Sequence, residues 1–193
     1  VPMSRIGQGW VITNGLGVLW PDGRVDQVLL DAPNASFPDP NDVAVSPDGR
    51  HALVTSGGTD QVAVIDVSAL LALIGESSDR ERAEVLPNHQ GFADRFVIQR
   101  VPVGRNPRGV AFSPDGKTLA SVGYDGLRLW NPEDATGEHE EPHPDGALCV
   151  AISPLGDTAA TGHKDRSVNL WACSGSAFAH SLSVEEHTQW VQS

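Results

Sequence analysis

The residues best suited to chemistry lie in one short run, Glu138-His139-Glu140-Glu141-Pro142-His143, which combines two imidazoles with three carboxylates. Divalent metal ions take such ligands from proteins, provided that the ligands converge on one point. Two histidines with this spacing converge readily on a helix, but Pro142 disfavours a helix here. The acidic residues fit an exposed outermost strand instead. We therefore expect no metal site in this run.

The remaining histidines and the cysteines form no recognisable catalytic set. His89, His163 and His180 have no nucleophile and carboxylate at a spacing typical of a triad. Cys149 and Cys173 are expected to be small buried or half-buried residues rather than a disulfide pair. The sequence also contains neither a glycine-rich phosphate-binding motif nor Cys-x-x-Cys-His for covalent haem. We expect no catalytic residue and no cofactor.

Composition limits the class of protein. A chain of 193 residues with 39% hydrophobic residues can bury one core, so we expect a single domain. No apolar run of about 18 residues predicts a membrane span. The first residues lack the basic and apolar segments of a signal peptide, although one could have been removed, so the compartment stays open. The formal net charge of −12 disfavours nucleic acid and favours solubility or basic partners.

A repeat of about 40 residues determines where these side chains lie. Its clearest copy, from Gly109 to Trp130, contains a strand, a Ser113-Pro114-Asp115-Gly116 turn, a second strand, a tight turn and a third strand. Equivalent turns begin at Ser46 and Ser153, and a weaker copy begins at Ser4. Such periodicity indicates a fold built from one supersecondary unit. Ser-Pro-Asp-Gly suits a type I turn between antiparallel strands.

The strands between these turns have few polar positions. Residues 62–65 are all apolar, as expected for strands that neighbouring sheets cover on both faces. Asn14-Gly15 and Asp125-Gly126 predict two-residue hairpins with type I′ turns. Four-stranded sheets stacked radially bury both of their faces. The sequence therefore predicts an all-β propeller of four-stranded antiparallel blades, about four blades per chain.

The repeats resemble the WD-repeat β-propeller family. Residues 127–131 and 168–171 are similar to the closing strand of that family, with Asn131 and Ala172 in place of the usual Asp. The resemblance implies a buried hydrogen-bonded set in each blade, made of a His, a Ser or Thr, an Asp and the Trp. In the last complete repeat the matching residues are His143, Thr161, Asp165 and Trp171, and in the one before, which lacks the His, they are Ser121, Asp125 and Trp130.

A second type of repeat is present as well. Residues 60–66 and 96–107 resemble bacterial extracytoplasmic propellers with a Tyr-Val-Thr-Asn repeat. Two interpretations follow. The blades have diverged in the ordinary way, or the chain is a chimeric or engineered propeller, in which case it need have no biological activity.

The longest departure from the repeat is an insertion at residues 67–95. Ser68 is predicted to cap a short helix over residues 69–74, which Gly75 would end. If residues 96–101 form the fourth strand of the second repeat, the insertion joins its third and fourth strands. It would then project from the face that carries the Ser-led turns, as a distinctive surface and a plausible contact.

The two ends of the chain are predicted to complete one blade. Residues 187–193 match the innermost strand of a repeat, and the first residues supply its second and third strands. Thr13 and Trp20 would then join His187 and Trp190 in a composite blade. Closure is expected because an open arc would expose sheet edges. The pairing closes a four-bladed ring within one chain or an eight-bladed homodimer, and the dimer is favoured because the propellers that this repeat resembles usually have more than four blades.

Two classes of function remain after these exclusions. The first is a non-catalytic scaffold for protein–protein interaction, which WD-repeat proteins generally are. The second is a subunit or fragment of an extracytoplasmic propeller oxidoreductase. Because every cofactor motif is absent, we favour the scaffold and predict that the chain is not an enzyme. A particular ligand does not follow from the fold.

Overall fold

Antiparallel sheets dominate the structure. The computed structural model describes residues 14–131, 136–143, 146–174, 177–185 and residue 191. Their strands form one two-stranded sheet and three four-stranded sheets. In each four-stranded sheet, strands that are consecutive in sequence pair with each other. The predicted four-stranded antiparallel blades are therefore confirmed, and closure of the ring stays a prediction.

The blades are numbered here in chain order. Blade 1 is the two-stranded sheet of β1 (Gly15–Leu19) and β2 (Val25–Leu29). Blade 2 contains β3 (Pro40–Val45), β4 (His51–Ser56), β5 (Gln61–Asp66) and β6 (Val97–Pro102). Blade 3 contains β7 (Gly109–Phe112), β8 (Leu119–Gly123), β9 (Gly126–Asn131) and β10 (Thr136–Glu141). Blade 4 contains β11 (Ala147–Ile152), β12 (Thr158–His163), β13 (Val168–Ser174) and β14 (Ala177–Val184).

The first strands of successive blades lie side by side. Strand β7 contacts both β3 and β11, so the three blades share an inner edge. At this edge a Cβ on Gly109 would lie 3.0 Å from the Cα atom of Cys149. Glycine therefore permits the close approach of the two inner strands. The faces of the blades pack on one another through two apolar clusters, one between blades 2 and 3 and one between blades 3 and 4.

In blades 2, 3 and 4 the hydroxyl of the leading serine donates to an aspartate, which lies two residues further on in blades 2 and 3 and four residues further on in blade 4. The hydroxyl of Ser46 donates to Asp48 at 2.6 Å, that of Ser113 to Asp115 at 2.7 Å, and that of Ser153 to Asp157 at 2.7 Å. The glycine that ends each turn has a positive φ of 71°, 72° and 74°, respectively. A residue with a side chain is strained in that region, which explains the glycine. We call the end of the blades that carries these turns the turn face.

The predicted Asp125-Gly126 turn is wrong. Gly123 pairs with Gly126, so the two turn residues are Tyr124 and Asp125, and neither has the positive φ that a type I′ turn requires. Gly126 itself has a φ of 113°. It lies so close to the carbonyl of Glu141 that a Cβ would collide with it. Glycine is therefore needed at position 126 because the chain at Glu141 approaches it closely, and not because it lies at the centre of the turn.

The insertion contains three short helices. Helix α1 spans Val67–Glu76, a π-helix spans Glu81–Val85, and a 3₁₀-helix spans Gln90–Arg95. The carboxylate of Asp66, at the end of β5, accepts a hydrogen bond from the Ala69 amide at 2.9 Å and caps α1. The prediction that Ser68 is the cap is therefore wrong. Ser68 lies in the first turn, because the helix follows β5 directly.

The insertion packs onto blades 1 and 2 instead of projecting as a free surface. Leu73 and Ile74 of α1 share one buried cluster with Val28 and Leu30 near the end of blade 1 and with Ile65 of blade 2. Apolar residues spaced three and four apart give α1 a buried side within this shared cluster, where α1 contacts β5 of blade 2 and the 3₁₀-helix contacts β2 of blade 1. The other side of the insertion, including Leu71 and residues 78–81, is exposed, and its role as a contact surface stays a prediction.

Blade 1 is tied to the insertion by a buried carboxylate. Asp26 is 5% exposed and accepts a hydrogen bond from the indole of Trp20 at 2.6 Å. Its second oxygen lies 3.6 Å from Nε of Arg82, in the insertion. A buried carboxylate is costly unless it is paired, and both partners are supplied here. Trp20 therefore has a structural role within the described part of the chain.

Most of the predicted closure lies outside the described residues. Thr13, His187 and Trp190 belong to that part of the chain, so their pairing with Trp20 stays a prediction. The amide of Val191 donates to the carbonyl of His163 at 3.3 Å. Among the described helices, none is long and apolar enough to cross a membrane.

Candidate functional site

The loops opposite the turn face form a joined surface, here called the loop face. It comprises residues 57–60, 103–108, 124–125 and 163–166. The connection between blades 2 and 3, residues 103–108, is hydrogen-bonded to a loop of each blade. The amide of Asn106 donates to the Asp60 carboxylate at 2.7 Å, and the amide of Arg105 donates to the Asp125 carboxylate at 3.0 Å. The Tyr124 amide in turn donates to the carbonyl of Arg105 at 2.8 Å.

An exposed tyrosine lies between two cations on the loop face. Tyr124 is 38% exposed, and the ammonium of Lys164 is 3.6 Å from the centre of its ring. The guanidinium of Arg108 lies 5.8 Å from the same centre. Hydrogen bonding to Lys164 and then to Arg108 lowers the pKa of the Tyr124 hydroxyl below its usual value. The aromatic ring joins blade 3 to blade 4 through these cation–π contacts.

The loop face is richer in cations than the rest of this acidic chain. The protein has 13 Lys and Arg residues against 25 Asp and Glu residues. Arg105 and Arg166 are exposed on this face, beside Arg108 and Lys164. Arg108 also lies 4.0 Å from Asp39 and donates to Asn41 at 3.0 Å. The arrangement can bind an anionic group next to an aromatic surface.

The buried polar set of blade 4 contains a different histidine from the one that the sequence predicts. The indole of Trp171 donates to the Thr161 hydroxyl at 2.9 Å, as the resemblance implies. The ring that pairs with Thr161, at 2.8 Å, is that of His163 and not that of His143. His163 also contacts the carbonyl of Gly146 at 3.1 Å. Sequence reasoning missed His163, although residues two apart on a strand lie on one face.

His143 and Asp165 lie beside this set. The ring of His143 packs on that of His163 with centres 4.0 Å apart, and its Nε2 atom is 4.0 Å from the Asp165 carboxylate. Asp165 accepts hydrogen bonds from the amide and the hydroxyl of Ser167, at 2.9 and 2.7 Å. Burial acts to raise the pKa of Asp165, but these hydrogen bonds and the two histidines lower it overall.

Blade 3 keeps only part of the set. The indole of Trp130 donates to the Ser121 hydroxyl at 2.7 Å. Asp125 is separate from this pair, because it accepts from the Arg105 amide and from Arg128, each at 3.0 Å. Gly123 stands where blade 4 has its histidine. A Cβ at Gly123 would lie 2.5 Å from the carbonyl of Arg105, so a side chain does not fit there.

The acidic run and the cysteines show no arrangement for catalysis in the described residues. Glu140 is exposed on the outermost strand of blade 3 and pairs with Arg128 at 2.8 Å. No group of three potential metal ligands occurs among the described side chains. Cys149 and Cys173 are free thiols, and burial raises the pKa of both. A raised thiol pKa disfavours the reactive thiolate.

Comparison with known proteins supports these structural features. The family model of the WD domain, G-beta repeat, matches residues 103–131 and 138–172. The hydrazine synthase subunit beta of Kuenenia stuttgartiensis is 29% identical over 126 residues, which cover 64% of this chain and 32% of that protein. The WD repeat and SOCS box-containing protein 1 of Takifugu rubripes is 40% identical over 67 residues, 34% of this chain and 16% of that protein.

Solved structures share the fold at low sequence identity. The Kuenenia stuttgartiensis hydrazine synthase matches with a TM-score of 0.59 and 17% identity, over 78% of this chain and 37% of that one. The RRP9 WD40 repeats match with a TM-score of 0.57 and 15% identity, over 77% of this chain and 39% of that one. The chain spans about a third or less of the length of the curated relatives described above.

The radial four-stranded sheets and the Trp–hydroxyl pairs define a β-propeller built from repeats. The family model finds WD repeats at residues 103–131 and 138–172, and the relatives and solved structures support a WD-repeat β-propeller.

Proposed function

We propose that this chain is a non-catalytic scaffold that holds an acidic segment of a protein partner on the loop face. The observation that carries the proposal is the exposed Tyr124 between Lys164 and Arg108. Tyrosine and arginine are enriched where interfaces concentrate their binding energy, because they combine apolar contact with directed hydrogen bonds. Carboxylates of a partner would pair with the cations while its apolar atoms cover the ring.

The net charge of the chain does not oppose this mode of binding at short range. Charges further apart than about 8 Å are largely screened at physiological salt. Locally, the four cations of the loop face are accompanied by three carboxylates, Asp60, Asp125 and Asp165, all of which accept backbone hydrogen bonds. The turn face instead carries three exposed carboxylates, Asp48, Asp115 and Asp157, against two exposed cations, Arg50 and Lys117. An acidic segment is therefore less favoured there than on the loop face.

Binding of a labelled peptide tests the proposal. Fluorescence anisotropy would compare a peptide of alternating Glu and Phe residues with one of alternating Lys and Phe. We expect the acidic peptide to bind more tightly, and Tyr124→Ala or Lys164→Glu to weaken its binding about tenfold or more, a loss of about 1.4 kcal/mol. Higher salt should weaken it further.

Arg50→Glu is the matched control, because Arg50 is an exposed cation on the turn face. It reverses a charge by the same amount and should leave peptide binding nearly unchanged. Equal losses for Arg50→Glu and Lys164→Glu would mean that only net charge matters and would contradict the proposed surface. Failure of the acidic peptide to bind the parent chain would contradict it as well.

A second candidate function is that of a propeller subunit in an enzyme complex. The similarity to a hydrazine synthase subunit beta over 64% of the chain favours it. A visible absorbance spectrum and a metal analysis of the purified chain separate the two candidates. Haem absorbance or stoichiometric copper would favour the enzyme subunit, and we expect neither for the scaffold.

A further inference from the structure

A cavity of about 490 Å³ opens between blades 2 and 3 on the side of the turn face. Its inner wall is apolar, and its volume is that of a pocket for a small organic molecule. The mouth lies between two Ser-led turns, and Ile98 beside it is 58% exposed. The main apolar lining residues are Val62, Val64, Val101, Phe112, Leu119 and Trp130.

The cavity reflects looser packing between blades 2 and 3 than between blades 3 and 4. In the latter interface Trp171 and Phe178 are both buried, at 6% and 5% exposure. The equivalent tryptophan of blade 3, Trp130, is only half-buried and lines the cavity. Apolar side chains that face a void lose dispersion contacts, so a fitting apolar group is favoured there. The inner wall therefore selects an aliphatic or aromatic body.

Two carboxylates line the mouth of the cavity. Asp48 and Asp115 belong to the Ser-led turns of blades 2 and 3 and both line the opening. The turns adjoin, since Cδ of Pro47 is 3.6 Å from the position of a Cβ on Gly116. Hydrogen bonds from Ser46 and Ser113 lower the pKa of the two carboxyl groups, which are therefore ionised at neutral pH. Nε of Arg50 lies 3.7 Å from the Asp48 carboxylate, but the Arg50 side chain is 81% exposed. Water therefore screens this ion pair, and Asp48 stays available to a ligand.

We propose that this cavity binds a small amphipathic cation, with its apolar body between blades 2 and 3 and its ammonium group at Asp48 and Asp115. An ammonium group next to carboxylates makes charge-assisted hydrogen bonds, which are stronger than neutral ones. An anionic analogue of the same shape is repelled by both groups. The site is separate from the loop face and does not depend on the proposed scaffold function.

Calorimetry with three matched indoles tests the site. Tryptamine is a cation at neutral pH, indole-3-ethanol is neutral and indole-3-propionate is an anion. We expect tryptamine to bind more tightly than the alcohol, and the propionate not to bind measurably. Asp48→Asn and Asp115→Asn should each weaken tryptamine binding about tenfold, which corresponds to about 1.4 kcal/mol. Binding should also weaken with salt, because the mouth is open to solvent.

Asp157→Asn provides the matched control. Asp157 accepts the same kind of serine hydrogen bond in blade 4 but does not line this cavity. It should leave tryptamine binding unchanged, as should Tyr124→Ala on the loop face, so a failed scaffold function does not affect the result. Val64→Trp tests the apolar wall, since the larger side chain should fill the cavity and abolish binding while the thermal midpoint is kept or raised.

Three results would overturn the proposal. Tryptamine fails to bind the parent chain, the three indoles bind alike, or Asp157→Asn weakens binding as much as Asp48→Asn does. In the last case the carboxylates act only through net charge, and the cavity is not the site. Thermal midpoints of all variants, measured in parallel, show that each compared chain is folded.

Discussion

The hydroxyl of Thr161 links two buried side chains in blade 4. It accepts from Trp171 on β13 and pairs with His163 further along β12. All three side chains are buried, with Thr161 and His163 each 1% exposed. A buried polar group that loses its partner keeps the cost of desolvation without the compensating hydrogen bond. The strength of the set therefore depends on Thr161 more than on any single ring.

Thr161→Val should lower the free energy of unfolding by roughly 1–3 kcal/mol, because it leaves the Trp171 indole and His163 without this partner. Valine has nearly the shape of threonine, so the change creates little cavity. Urea denaturation measures the effect. Ser181→Ala, an exposed hydroxyl on β14, is the control and should change stability little. A Thr161→Val protein as stable as the parent would show that the set carries no net stability.

Asp165→Ala should lower the thermal midpoint at neutral pH by roughly 2–4 °C, because two hydrogen bonds from Ser167 are lost. The pKa of Asp165 is lowered in the folded protein. The carboxylate therefore stabilises fully above its ordinary pKa of 3.8, and this contribution disappears as the pH falls through the folded value. Unfolding curves over this range should converge for the two proteins in acid. An unchanged midpoint at neutral pH would contradict the expectation.

Among the elements, helix α1 shows how a strand end determines a helix start. Asp66 closes β5 and its carboxylate caps α1 through the Ala69 amide. The helix can begin immediately because the blade already fixes the backbone of Asp66. The buried side of α1 then places Leu73 and Ile74 in the apolar cluster shared with blades 1 and 2. Strand, cap and apolar contact thus act together.

Asp66→Ala should cost about 1 kcal/mol of stability, within the usual range for loss of an N-terminal cap. Ser68→Ala is the control, because Ser68 is the cap that the sequence favours and the structure does not use. We expect at most a few tenths of a kcal/mol for Ser68→Ala, since alanine is a better helix former than serine. Chemical denaturation compares the two variants. A larger loss for Ser68→Ala would mean that the helix begins two residues later.

For the whole molecule, the remaining question is how the row of blades is completed. An incomplete ring leaves sheet edges and apolar blade faces in water. The amide of Val191 donates to the carbonyl of His163, so residue 191 lies next to blade 4. We propose that residues 187–193 form an inner strand that pairs with the first strands of a second chain.

Sedimentation equilibrium should then give about twice the chain mass of 20.4 kDa. Removing residues 187–193 should dissociate the dimer or destabilise the fold, because the composite blade loses its inner strand. A mass of one chain with full stability would indicate closure within a single chain. A truncated chain that keeps both its fold and the mass of the parent would refute the pairing.

The sequence by itself determined the features that depend on neighbours along the chain. The Ser-Pro-Asp-Gly turns and the strands between them follow from turn chemistry and strand periodicity, and the Trp–hydroxyl pairs are what the resemblance to the WD-repeat family implies. Each of these needs only residues of the same blade. The fold class and the pairing of Trp171 with Thr161 and of Trp130 with Ser121 were therefore predictable.

Tertiary structure alone decided the rest, because those features depend on contacts between distant segments. Asp66 and Ser68 are both good capping residues, and only the end of β5 selects between them. His163 and not His143 pairs with Thr161, and the second ring nitrogen of His163 contacts the carbonyl of Gly146, just before β11. The loop face and the cavity arise between blades, where the spacing of two sheets sets which side chains meet. No local pattern encodes that spacing.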